Sequence, residues 1–156
     1  SGKTRGFEAI AGFSEKQIYA VGWAGEIWFY DGISWERLDS PTNTILTSAS
    51  CGGDGNVYIA GQNGCIIKGN RDKLELLTED DFTVDIWDTA YFQNRIYLAG
   101  MQSLFFLDEN NKIQPVDFGE EYPQTCNHLT HAENVLWSIG SSDIFSFDGH
   151  TWKRID

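Results

Sequence analysis

The sequence is poor in the residues that mark several protein classes. Its 3 cysteines are an odd number without metal-ligand spacing, so neither a disulfide framework nor a cysteine zinc site is read from them. No Asn-x-Ser/Thr acceptor occurs, which together with unpaired thiols points to a reducing, cytoplasmic setting. No apolar run approaches the roughly 18 residues of a bilayer span, and no basic-then-apolar leader is present. Residues 1–6 read as an N-terminal tail, with Ser1-Gly2 resembling an expression scar, and a removed leader stays open. Positive charge is scarce too. Lys and Arg number 11 against 23 Asp and Glu, and the net charge of −12 argues against nucleic acid and anionic membranes as partners. The natural complement is a cationic one.

Aromatics are plentiful. They make up 14% of the 156 residues beside 16 glycines and only 3 prolines, the profile of one ordered, turn-rich domain with a sheet interior to bury them. The chain repeats itself. Ile18-Tyr19-Ala20-Val21-Gly22 recurs as Val57-Tyr58-Ile59-Ala60-Gly61, as Ile96-Tyr97-Leu98-Ala99-Gly100, and more loosely as Val135 to Gly140, with the glycines 39, 39 and 40 residues apart. Leu38, Leu77, Val116 and Ile155 form a second series, and Ile27, Ile66, Leu104 and Ile144 a third. Such a period marks a repeat architecture. Each unit holds short alternating runs parted by Asp31-Gly32, Asp54-Gly55, Gln93-Asn94 or Asp148-Gly149, which is the chemistry of four strands and tight turns. The fold class expected is all-β, a four-bladed β-propeller with blades over 7–39, 46–78, 84–117 and 125–156 in a single domain over 7–156.

The first unit, with Gly25, Ile27, Tyr30, Asp31, Gly32 and Trp35, resembles the bacterial propeller repeats that read VYAVGxxGxIxxYDGxxW, distantly like WD40 and kelch blades. The fourth matches in Asp148, Gly149 and Trp152, while the second and third are degenerate, with Asn70 and Asp108 at the turn. Ser146 to Trp152 also resembles the Asp-box turn of sialidase-type propellers, less one residue, which implies that Asp31 and Asp148 are turn residues. Propellers host many activities, so the resemblance implies a fold and no chemistry. The four units either close on themselves or belong to a larger or dimeric ring, and closure as a monomer is the expectation because an open array bares apolar faces.

No constellation of catalytic residues emerges. Cys126, His128 and His131 carry metal-ligating atoms, but strand alternation sends His131 to the other face. His128 has no Ser, Cys or carboxylate placed by sequence to partner it as a general base. Cys51 and Cys65 belong at opposite ends of non-adjacent strands and read as free thiols. Trp28, Trp35, Trp87, Trp137 and Trp152 are expected between blades, and small or polar inner-strand residues such as Thr47, Ser48, Ser50, Asp88 and Thr89 around a narrow axis.

The loops carry more information. Connections from an outer strand to the next blade, and from second to third strands, open on one face of a propeller. Here they hold Asp39, Glu79, Asp80, Asp81, Glu120 and Glu121 and no Lys or Arg, with Trp23, Phe82 and Tyr122 among them as aromatic anchors. Lys16, Arg71, Lys73, Arg95 and Lys112 fall at the opposite turns. The expectation is a non-enzymatic module, needing no cofactor or metal, that presents this acidic face to a basic protein. Immunity proteins that neutralise a cationic bacterial toxin are of this kind. A lectin using Trp23, Tyr122, Gln62, Asn63 and Gln102, and half of a larger propeller, are the alternatives.

Overall fold

Each repeat folds as one antiparallel sheet whose four strands follow chain order from an inner to an outer edge. The computed structural model describes residues 6–77 and 79–156; most of the expected tail, 1–5, and Thr78 lie outside the described residues. Blade 1 is β1 (Phe7–Ser14), β2 (Gln17–Gly22), β3 (Ile27–Tyr30) and β4 (Trp35–Arg37). Blade 2 is β5 (Leu46–Cys51), β6 (Val57–Gly61), β7 (Ile66–Gly69) and β8 (Leu74–Leu77). Blade 3 is β9 (Ile86–Phe92), β10 (Arg95–Gly100), β11 (Ser103–Leu107) and β12 (Ile113–Pro115), and blade 4 is β13 (His128–Ala132), β14 (Val135–Ile139), β15 (Ile144–Phe147) and β16 (Trp152–Arg154). The protein is a four-bladed β-propeller fold.

Local chemistry sets the hairpins. Gln93 and Asn94, and again Glu133 and Asn134, have positive φ at both positions, the backbone of a two-residue turn whose twist matches the strands it joins. The third turn of every blade uses one device. The side chain of Asp31 accepts from the Ile33 and Ser34 amides, Asn70 from Asp72 and Lys73, Asp108 from Asn110 and Lys112, and Asp148 from His150 and Thr151. The degenerate second and third units therefore keep the turn of the first and fourth.

Alternation along the strands gives each blade two apolar faces. Tyr19, Val21, Ile27 and Phe29 of blade 1 meet Val57, Ile59 and Ile67 of blade 2 in one buried cluster. Tyr58, Ala60 and Ile66 meet Ile86, Leu98 and Leu107 in a second, and Tyr97, Ala99 and Leu104 meet Leu129, Leu136 and Phe145 in a third. Polar side chains stitch the inner strands beside these clusters. The Thr47 hydroxyl donates to the Ile86 carbonyl, Ser48 and Ser50 bond Thr89 at 2.8 and 2.7 Å, and Asp88 accepts from the Leu129 amide at 2.8 Å.

The expected closure on a narrow axis is not seen. β1 packs along β5, β5 along β9 and β9 along β13, but among the described residues no comparable packing or apolar cluster joins β13 back to β1. The tryptophans follow from this. Trp152 stacks on Phe147 at 4.7 Å between blades 3 and 4, as expected. Trp28 and Trp35 instead lie on the outward side of blade 1, Trp137 is opposite Leu136 on blade 4, and Trp87 is exposed.

Candidate protein-binding face

The β2–β3 turn and its equivalents lie against the segments leading into inner strands. The Trp23 amide donates to the Gly6 carbonyl at 2.8 Å, Gln62 to Ile45 at 3.0 Å, and Gly64 to Val84 at 2.9 Å. Cys126 donates to Met101 at 2.9 Å. Both sets of connections thus open on one face. The recurrent glycines make this approach possible. A Cβ on Gly61 would stand 2.2 Å from the Ile45 carbonyl oxygen and one on Gly140 2.3 Å from that of Thr125. Gly22 is extended, so close approach explains it and left-handed backbone does not.

The predicted site residues divide into two groups. Asp39, Asp80, Asp81, Glu120 and Glu121 are exposed on this face. Tyr122 is 64% exposed and leans edge-on against buried Phe118, and Trp23 is 45% exposed with its indole N–H donating to Glu8 Oε1 at 2.6 Å. Glu79 and Phe82 do structural work. Glu79 Oε1 accepts from the Ile113 amide at 2.8 Å, tying blade 2's loop to β12, and Phe82 is half-buried edge-on to Phe105 at 5.0 Å. Sequence reasoning missed Asp85 and Asp143, whose carboxylates accept from the Asn63 and Gln124 amides at 2.7 and 2.6 Å and brace the loops. Their only signal is position, next to an inner or a third strand.

Basic residues are arranged asymmetrically. The loops hold none, but Arg37 at the end of β4 comes within 3.8 Å of buried Glu26, and Arg154 at the end of β16 bonds Asp156 at 2.9 Å. Asp156 above all, then Asp143 and Glu121, hold Arg154 above its ordinary pKa. Sequence reading passed over both arginines. On the opposite side Arg71 pairs with Glu36 at 2.7 Å and lies over Phe29, Arg95 lies over Phe106 at 4.1 Å, and Lys68 donates to Asn111 at 3.0 Å. Those cations are engaged within and between blades.

The nucleophile and metal candidates do not assemble. Cys51, Cys65 and Cys126 are free thiols, and burial raises all three, Cys51 to about 11, which leaves them protonated at neutral pH. His128 Nδ1 stands 4.0 Å from Asp88 Oδ2, a carboxylate the sequence did not place there. That oxygen already accepts from the Leu129 amide. Among the described residues no three metal-ligating side chains converge.

Comparison with known proteins supplies the remaining context. No protein-family model matches the chain. It is 49% identical over 151 residues to "Immune protein Tsi7" of Pseudomonas aeruginosa, an alignment covering 97% of this chain and 49% of that protein. The chain thus spans about half the length of this curated relative. Among solved structures it is similar to virginiamycin B lyase from Staphylococcus aureus, with a TM-score of 0.78, 10% identity, and 96% of this chain on 55% of that one. It is also similar to the computationally designed Ika4 protein, with a TM-score of 0.72, 14% identity, and 94% of this chain on 92% of that one. At these identities the structures establish the fold alone.

Proposed function

We propose that the chain is a non-enzymatic immunity module that binds a cognate basic toxin through its acidic face, within the cytoplasm. The observation that carries this reading is the 49% identity to an immune protein across 97% of the chain. Charge and geometry support the finer part. Asp39, Asp80, Asp81, Glu120 and Glu121 are exposed on one face of a chain carrying −12, while Arg71, Arg95 and Lys68 of the other face are already engaged. Carboxylates on neighbouring loops add their potentials within a Debye length of about 8 Å at physiological salt. Encounter with a cation is then steered, by about 10- to 1000-fold at low ionic strength. Exposed Tyr122 and Trp23 supply the apolar contacts that slow dissociation.

The test is co-expression with a candidate toxin drawn from the neighbouring genes. The parent chain is expected to restore growth, and Asp80→Lys, Asp81→Lys, Glu120→Lys, Glu121→Lys together to lose protection while melting with the parent. Stopped-flow association with purified toxin should slow in the variant and with added salt. Asp54→Lys with Glu109→Lys, on the opposite turns, should change little. Protection that survives the rim reversal would sink the acidic-face reading, and failure of the parent to protect would sink the immunity reading.

A further inference from the structure

The same repeat positions are filled differently at two internal blade junctions. Between blades 1 and 2, Arg71 of the β7–β8 turn lies 5.1 Å over the Phe29 ring and pairs at 2.7 Å with Glu36, the cross-strand partner of Phe29. Aromatic face, guanidinium and carboxylate form a complete set. Between blades 3 and 4 the aromatic position is Phe106, which pairs with Tyr97 as Phe29 pairs with Tyr19. Arg95 lies 4.1 Å over that ring. The carboxylate position, however, is Gln114, which stands opposite Phe106 and donates to Asp108 Oδ2 at 3.0 Å. Glu109 approaches Arg95 only to 3.9 Å, from a side chain that is 87% exposed. Stacking uses the flat face of a guanidinium and leaves its N–H edge for a carboxylate. The turn residue differs as well. Gly149 follows Asp148 as Arg71 follows Asn70, so no side chain from blade 4 fills the space beside Arg95. Two cavities of about 310 and 420 Å³ share Arg95, Tyr97 and Phe147 in their walls, the first also lined by Trp152 and the second by Gln93 and Asn94.

We propose that this groove between blades 3 and 4 binds a small organic acid, with its carboxylate on the edge of Arg95 and an apolar ring against Phe147 and Trp152. The chain supplies the precedent for the carboxylate in Glu36, which meets a guanidinium stacked at the equivalent place. The aromatic walls select the body, and the cavities fall in the size range of small-molecule sites. The net charge of −12 opposes anions at long range. Close to the groove, however, Asp108 is held by the Asn110 and Lys112 amides and by Gln114, and Asp117 by the Gly119 amide. Recognition therefore rests on short-range contact with one arginine, which a charged, fork-shaped hydrogen-bonding group provides. It does not depend on the immunity role.

Titration of phenylacetate into the protein, followed by NMR of the backbone N–H groups, tests this, with phenylacetamide as the neutral control of the same shape. Phenylacetate is expected to shift the Arg95, Phe106 and Gly149 signals saturably, and phenylacetamide to bind about tenfold more weakly because it brings no charge to the guanidinium. Arg95→Met should abolish the shifts. Gln114→Glu rebuilds within blade 3 the carboxylate that Glu36 supplies in blade 1, and repulsion from Asp108 turns it toward Arg95. It should weaken phenylacetate about tenfold by competing for the same edge, while its circular dichroism and melting match the parent, which separates loss of the site from loss of the fold. Absence of saturable phenylacetate binding, equal binding of phenylacetamide, or undiminished binding in either folded variant would overturn the proposal.

Discussion

The internal junctions and the end faces are built from the same repeat positions, yet they have opposite fates. Ala49 packs against the core between blades 1 and 2, while Ile10, its equivalent one repeat earlier, is 66% exposed. Period alone therefore does not decide burial in a repeat protein. A blade face is core only when another blade covers it, and the number of units in the array decides how many are covered. The largest expected effect sharpens this contrast. Ile67→Ala should cost about 2 to 5 kcal/mol in urea unfolding, as a cavity in a close-packed junction. Ile155→Ala should cost less, about 1 kcal/mol or below, because Ile155 is 46% exposed. Equal losses would mean that the end face is covered within the single chain.

Glycines offer the same comparison on a smaller scale. Gly61→Val forces a branched side chain against the Ile45 carbonyl and should destabilise by about 1 to 3 kcal/mol. Gly119→Ala meets nothing within 4 Å, and its only obstacle is a φ of +88°. That strain is about 1 to 2 kcal/mol, so thermal melts of the two variants should separate crowding from backbone conformation. A Gly61→Val protein that melts with the parent would place the β6–β7 turn elsewhere.

These contrasts show what the sequence made legible. The period, the alternation and the Asp-Gly turns were enough to read four blades of four strands, because each rests on contacts within some forty residues. Ring closure was not legible. It depends on curvature, summed over many small rotations between blades, and no residue encodes it locally. The acidic face was read from loop composition, and its exposed members are Asp39, Asp80, Asp81, Glu120 and Glu121. What composition missed was engagement. Glu79 holds the Ile113 amide and Phe82 packs on Phe105, while Arg37 and Arg154, assigned to strands, reach the rim from the strand ends.

The smallest effect separates blade 2 from the others. Backbone amides donating to Asp31, Asp108 and Asp148 hold these carboxyls below their ordinary pKa, whereas Asn70 makes the same turn without a titratable group. A carboxyl depressed in the fold is protonated more readily in the unfolded chain, so its contribution is complete above an ordinary value of about 4 and fades as pH falls through the folded value. Asp31→Asn, Asp108→Asn and Asp148→Asn combined should therefore fold normally at pH 7, with Asn70 as the internal precedent. The triple variant should lose less stability than the parent as pH falls below about 4, where those carboxyls take up protons. Asp148→Ala is the necessary contrast. It removes the acceptor for the His150 and Thr151 amides and should lower the melting temperature at every pH. Parallel acid unfolding curves for the parent and the triple Asn variant would show that the turns contribute hydrogen bonds but no pH dependence, and would assign acid sensitivity to carboxylates such as Asp54, lowered by its bonds to Tyr58 and Asn56 against the opposing effect of burial.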